Sequence, residues 1–287
     1  MVKCGRCVRV ACGARLRNVR GLRGAGFTRR NRVTLNEFDN WADSFLKLGD
    51  YAADISMNGI QVQNSNPNGK PIKKVAFAVD ACLETIEKAA AEKADILFVH
   101  HGLFWGSPIA VAGSHYNRIK ALLDADMALY ACHIPLDANS EYGNNYGLAR
   151  MFGMEKLEPF GEWRGMMVGV KGEFTKPVLV SELVEKLEAG GCKCTAVLPF
   201  GREPIRSAVI ISGDGESDAE EAAASGADAF ITGEVGHVCY HLAKESQFTI
   251  IAGGHYNTET IGVSLVMEKL ARETDIKTVF IPAPTGL

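Results

Sequence analysis

The stretch Val75-Ala-Phe-Ala-Val-Asp-Ala-Cys-Leu-Glu-Thr-Ile-Glu-Lys-Ala-Ala-Ala-Glu-Lys-Ala-Asp-Ile-Leu-Phe-Val99 decides the fold. Val75 to Val79 is a β-rich run, Cys82 to Lys93 carries a helical pattern, and Ile96 to Val99 is a second apolar run. Strand, helix and strand of these lengths make a βαβ unit, which implies a parallel sheet covered by helices. Before this unit, Thr34-Leu-Asn-Glu37 is a capping box followed by Phe38, Trp41, Phe45 and Leu48 at helical spacing, so a first helix begins there. A turn-rich stretch from Asn58 to Pro71 separates the two.

After the unit the alternation continues. A helix is expected around Tyr116 to Asp124, a strand at Ala128 to Cys132 and a helix from Asn144 to Phe152, ended by Gly153. Met166 to Phe174 reads as a strand, Val178 to Ala189 as a helix, and Cys194 to Leu198 and Arg206 to Ile211 as strands. The last third predicts helix Asp218 to Ser225, strand Ala229 to Thr232, helix Val238 to Glu245, strand Phe248 to Ala252, helix Thr258 to Arg272 and strand Lys277 to Ile281. The expected class is therefore α/β, with mainly parallel sheets covered by helices. The chain is divided into a basic extension over 1–33, an α/β domain over 34–153, a middle α/β segment over 154–215 and a last α/β segment over 216–287.

Composition removes several classes of function. At 287 residues, 47% apolar and 23% charged, the chain is an ordinary globular protein, and its apolar runs fall far short of the roughly 20 residues that cross a bilayer. Residues 1–32 hold ten Lys and Arg and no acid, so the remaining 255 residues carry 21 basic and 34 acidic side chains, a balance of −13. A body that acidic does not attract phosphate backbones, and nucleic acid is not an expected partner. The like-charged tail is read as a disordered extension, in preference to a transit peptide or a nucleic-acid arm. Eight scattered cysteines and the lack of a secretory apolar region suit free thiols in a reducing compartment, so a cytoplasmic location is expected. The lone Cys4-x-x-Cys7 has no second pair to complete a structural zinc site.

The seven histidines fall in two blocks, His100 to His133 and His237 to His255. In open α/β sheets ligands gather where strands end in loops, and three strand ends here deliver metal-binding side chains. His100 and His101 close Ile96 to Val99, with Gly102 freeing the backbone so that both rings can converge. His133 and Asp137 follow Ala128 to Cys132, although Asp137 also suits a turn. His255 and Glu259 follow Phe248 to Ala252, with Glu259 expected in the opening turn of the last helix behind an Asn257 or Thr258 cap. Imidazoles and carboxylates at successive strand ends make a donor set for zinc, iron or manganese, and five such groups are what a two-metal site with a bridging carboxylate uses.

These residues sit in segments that resemble a known family. Met57-Asn-Gly-Ile-Gln-Val62, Phe98-Val-His-His-Gly-Leu-Phe-Trp105, His133-Ile-Pro-Leu-Asp-Ala138, Gly143-Asn-Asn145, Phe230-Ile-Thr-Gly-Glu-Val235 and Ala252-Gly-Gly-His-Tyr-Asn-Thr-Glu259 match, in order, the GTP cyclohydrolase I type 2 homologues, or NIF-three-like proteins. The resemblance implies two α/β domains, a homo-oligomer in the form of a hexameric ring, and two divalent ions per chain. It implies His100, His101, Asp137, His255 and Glu259 as ligands, Glu259 as the bridge, and His133 and Glu234 as residues that orient ligands or move protons. Zinc, iron, manganese and nickel all suit such a set. The opening motif departs from the family's Asp-Asn-x-Gly-Leu, reading Ser56-Met57-Asn58-Gly59-Ile60.

Two functions follow. One is a metal-dependent hydrolase in which an activated water attacks a small substrate, a nucleotide by the family's name, with His133, Glu234 or His237 as candidate proton carriers. No phosphate-binding glycine loop supports GTP itself. The other is a non-catalytic metal-handling or scaffold protein.

Overall fold

A computed structural model describes residues 33–287; the basic tail and Cys4-x-x-Cys7 lie outside the described residues. In chain order the elements are α1 (Leu35–Leu46), β1 (Gly59–Val62), β2 (Lys74–Asp80), α2 (Leu83–Ala91), β3 (Ile96–His101), α3 (Gly113–Asp124), β4 (Ala128–Ala131), α4 (Ile134–Asp137) and α5 (Asn144–Phe152). Then come β5 (Met154–Trp163), β6 (Met166–Val178), α6 (Val180–Ala189), β7 (Ala196–Pro199), β8 (Ile205–Ile211), α7 (Ala219–Ala224) and β9 (Ala229–Thr232). The chain closes with α8 (Val238–Glu245), β10 (Thr249–Ala252), α9 (His255–Glu273) and β11 (Lys277–Phe280). No described helix is long and apolar enough to cross a membrane.

The predicted βαβ unit forms β2, α2 and β3, and it lies at the heart of a five-stranded sheet ordered β1-β4-β3-β2-β11. Side chains alternate across each strand, so both faces need cover. Val75, Phe77, Val79, Ile96, Phe98 and Tyr130 pack with Phe38 and Trp41 of α1 and Val263, Val266 and Leu270 of α9. Ala76, Ala78, Leu97, Val99 and Leu129 face the other way, onto Ile86 and Ala89 of α2 and Leu122 of α3. Phe77, Phe98 and Tyr130 are fully buried, with ring centroids 5.3 and 5.5 Å apart along the row. Each such side chain contributes about 1.5–3 kcal/mol by leaving water. The Thr34 capping box is present at the start of α1, and Gly153 ends α5 in the left-handed conformation.

The second sheet has six strands in the order β5-β6-β8-β9-β10-β7. β8, β9 and β10 are parallel, while β5, β6 and β7 are added antiparallel. The first sheet is parallel except for β1. Parallel pairing therefore forms the centre of both sheets, and antiparallel pairing forms edges. β5 has no counterpart in the sequence reading. Glu155, Lys156, Glu158 and Glu162 leave it no apolar alternation, Pro159 and Gly161 interrupt it, and a register shift between Glu155 and Glu158 breaks its pairing. The six-stranded sheet runs through residue 215 without a break, and β11 returns to the first sheet.

α9 joins the halves. It leaves β10 of the second sheet and lays Tyr256, Val263, Val266 and Leu270 on the first. Its opening residues thus stand between the carboxyl ends of the two sheets. α9 starts at His255, three residues earlier than expected, with Gly254 as its N-cap at φ +84°. Glu259 accordingly lies in the second turn rather than the opening one, which puts His255 and Glu259 four apart on one helix face.

Candidate metal centre

Strand β3 holds His101 in register with Asp80 of β2, so His100 and His101 are the last residues of a paired strand. Their rings nevertheless approach to 4.5 Å between centroids. His100 is fully buried, and its Nδ1 lies 2.9 Å from the carbonyl of Cys132. A carbonyl can only accept, so Nδ1 carries a hydrogen and Nε2 is the nitrogen left to face the centre, where it can give up its proton to a metal. That Nε2 faces Asp137 Oδ2 and Glu259 Oε1, each at 3.5 Å.

Glu259 is the common element. Its side chain is 4% exposed, and its oxygens lie 3.4 Å from His101 Nε2 and 3.2 Å from His255 Nε2. Three-residue groups with the spacing of a metal site are His100, Asp137 and Glu259; His101, His255 and Glu259; and His100, His101 and His133. Glu259 belongs to two of them. His100 Nε2 and Glu259 Oε2 are buried and have no hydrogen-bond partner. Such atoms are costly in a protein interior unless a cation draws them together. The donor set, nitrogen lone pairs and carboxylate oxygens, therefore fits a divalent ion.

The groups behind these side chains orient them. His101 Nδ1 is 2.9 Å from Asp80 Oδ1, His255 Nδ1 bonds Glu234 Oε1, and His133 Nδ1 is 3.0 Å from Asp54 Oδ1. Asp137 Oδ1 accepts from Asn144 Nδ2 at 2.8 Å and Ser212 Oγ at 3.1 Å, which turns Oδ2 to His100. Asp137 sits in the single turn of α4, not in an open loop. Each imidazole thus has one nitrogen tied to an acceptor and the other free for the centre. Asp54 and Asp80 are absent from the sequence reading. Asp80 ends β2 and obeys the same strand-end logic as the histidines, so that signal was present in the sequence.

A cavity of about 290 Å³ opens beside these groups, bounded by His101, His133, Glu259, Trp163, Asp214 and Asp218. Trp163 reaches it from the β5–β6 hairpin and packs with Tyr51, Ile134, Met166 and Val168. His237, at the start of α8, and His241, within it, are exposed and do not line the cavity, so His237 is not placed as a proton carrier there. His115 is buried on α3 against Phe104.

The carboxylates set the charge of the histidines. Burial alone would push His100 down, but Asp137 and Glu259 hold it up at about 10. Burial likewise opposes the charge on His255, yet Glu259 and Glu234 hold it at about 9. Burial would raise Glu259, but His100, His101 and His255 keep its carboxyl well below the usual carboxylate range. In the metal-free protein the raised histidines stabilise the fold fully below about pH 6.5, and this contribution is lost as pH rises through about 9 to 10. Protons and metal compete for the same lone pairs. Apparent zinc affinity should therefore rise steadily from pH 6 to pH 9, with roughly one to two protons released per chain on binding. Calorimetry in buffers of different ionisation enthalpy measures this; affinity independent of pH would contradict it.

The chain as a whole is similar to a wider group of proteins. The family model Duf34/NIF3 (NGG1p interacting factor 3) matches residues 33–285. A Treponema pallidum protein named GTP cyclohydrolase 1 type 2 homolog is 42% identical over 289 aligned residues, spanning 89% of this chain and 100% of its own length. A Pyrococcus abyssi protein of the same name is 42% identical over 255 residues, 88% of this chain and 98% of its own. The crystal structure of a Thermus thermophilus protein superposes with a TM-score of 0.80 at 35% identity, covering 89% of this chain and 100% of that one. With a match that runs from Val33 nearly to the end and takes in both sheets and every strand end at the centre, the chain belongs to the Duf34/NIF3 family.

Proposed function

We propose that this protein is a dinuclear metal-dependent hydrolase acting on a small substrate, with a nucleotide as the first class to test. The observation that carries the reading is Glu259, a buried carboxylate shared by two ligand groups, whose Oε2 is left, with His100 Nε2, without a hydrogen-bond partner at the edge of a cavity. His100, Asp137 and Glu259 would hold one ion, and His101, His255 and Glu259 the other. When bound, a pair of divalent ions supplies Lewis-acid polarisation and a water acidic enough to be a nucleophile near neutral pH. The chain's own residues do the rest: Asp80, Glu234 and the Cys132 carbonyl orient the imidazoles, and His133 at the cavity wall carries protons. Zinc, iron, manganese and nickel all suit the donors. We further propose a hexameric ring, as the resemblance of the sequence motifs implies, and a reducing, cytoplasmic setting, which the scattered cysteines support.

The relatives' name makes GTP the first probe. Elemental analysis of protein reconstituted with each of these metals should give about two ions per chain. Formate released from GTP by loaded protein, above a chelated control, would then report purine-ring opening. No bound metal after reconstitution would overturn the reading. Full metal content with no turnover across a nucleotide panel would favour the non-catalytic metal-handling or scaffold role.

A further inference from the structure

The proton carrier His133 has a partner that the metal centre does not use. Asp54 lies before β1, and its side chain is fully buried. Its Oδ1 and Oδ2 lie 3.0 and 3.2 Å from His133 Nδ1. Oδ1 also accepts from the Ser56 N–H at 3.0 Å, and Oδ2 accepts from Asn58 Nδ2 at 2.8 Å and the Ile134 N–H at 3.1 Å. Asn58 Oδ1 in turn accepts from the His133 N–H at 2.8 Å. The segment Asp54 to Asn58 therefore grips the start of α4 from several sides. A carboxylate surrounded only by donors is ionised and accepts at every site. The Nδ1 of His133 must then carry the hydrogen, which leaves Nε2 as a bare lone pair. The His133 ring stands 5.1 and 5.7 Å from the rings of His100 and His101 and 5.0 Å from that of Trp105, on the cavity wall.

We propose that Asp54 is a positioning residue: it locks His133 as the Nδ1–H tautomer and so presents Nε2 to the cavity as a proton acceptor. The catalytic half of this statement rests on the hydrolase reading, and the tautomer half does not. In the proton cycle, Nε2 takes the proton from the attacking water and returns it to the leaving group, while the Nδ1 hydrogen stays with Asp54 as a hydrogen bond.

Asp54→Asn gives a sharp test because the new amide must place an NH₂ among donors. Ser56 N–H, Ile134 N–H and Asn58 Nδ2 cannot reverse their roles, whereas an imidazole can. The amide should donate to Nδ1 and drive the proton to Nε2. The experiment is ¹⁵N magic-angle-spinning NMR of histidine-labelled, zinc-loaded full chain, with His133→Gln to identify the His133 signals among seven histidines. Wild type should show His133 protonated at Nδ1 alone, and Asp54→Asn should lose that signature and gain Nε2–H, with zinc content unchanged. Where GTP is turned over, kcat should fall about 10²- to 10⁴-fold in Asp54→Asn. An Nε2–H tautomer of His133 in the wild type would overturn the proposal. So would an unchanged tautomer in Asp54→Asn, or zinc lost from His133→Gln, which would make His133 a ligand. A correct tautomer without turnover of any nucleotide would refute the hydrolase reading while leaving the positioning role of Asp54 standing.

Discussion

Glu259→Ala, purified beside the wild type without chelator, should retain at most about one ion per chain where the wild type retains about two. The magnitude follows from position. Glu259 is the residue common to the group with His100 and Asp137 and the group with His101 and His255. Removing it deprives three imidazole nitrogens, at 3.5, 3.4 and 3.2 Å, of their shared carboxylate. Asp137 remains beside His100, so partial occupancy of that half is the most that survives. The second half keeps only two imidazoles, because the carboxylates Asp80 and Glu234 bond the Nδ1 atoms behind them rather than facing the centre. Thermal stability gives an independent reading. Metal bound to the native state adds RT ln(1 + [L]/Kd), about 2.7 kcal/mol at a free concentration of 100 Kd, so wild-type protein should gain melting temperature on zinc addition far more than Glu259→Ala does. A variant with full metal content and the full thermal gain would show that Glu259 is not a ligand.

The βαβ unit and the strand-end histidines were legible because both depend on local pattern. Runs such as Ile96 to Val99 and Ala229 to Thr232 are fully buried strands, and His100 and His101 directly follow the first of these runs. β5 was illegible for the opposite reason: a hairpin edge strand rich in Glu and broken by Pro159 and Gly161 is held by its partner β6, not by its own sequence. The start of α9 was misplaced because Asn257 and Thr258 look like caps, yet Gly254 takes the cap position and the side chains of Asn257 and Thr258 turn back to the carbonyls of Gly253 and Gly254. The orienting carboxylates were harder still. Asp54 meets His133 across 79 positions of sequence, a pairing that only the packing of β1 against β4 creates. The motif lacks a carboxylate at Ser56, while Asp54, two residues upstream, supplies one to His133.

Backbone shape also builds the centre, and Gly213→Ala isolates that contribution. Gly213 adopts φ +64°, and its carbonyl accepts from the N–H groups of Gly233 and Glu234 at 3.0 and 2.9 Å, while its own N–H donates to Thr258 Oγ1 at 3.1 Å. The turn is thus pinned to the loop that carries Glu234 and to the first turn of α9. A Cβ at Gly213 would collide with Glu259 Oε1 and stand 3.1 Å from His255 Nε2. Glu259 cannot swing aside without leaving its partners, since its side chain is 4% exposed and enclosed by three histidines. Either the carboxylate shifts out of line with His101 and His255, or the pinned turn opens; both spoil the ligand geometry while every ligand residue is kept. Zinc affinity should fall about 10- to 100-fold, measured by chelator competition. Gly153→Ala is the matched control: Gly153 has φ +73°, but nothing lies within 4 Å of an added Cβ. Both variants bear the left-handed backbone cost of about 1–2 kcal/mol, so both should melt earlier, but only Gly213→Ala should lose metal affinity. Equal affinity in the two variants would mean that the Gly213 turn does not shape the centre and that Glu259 is free to relax.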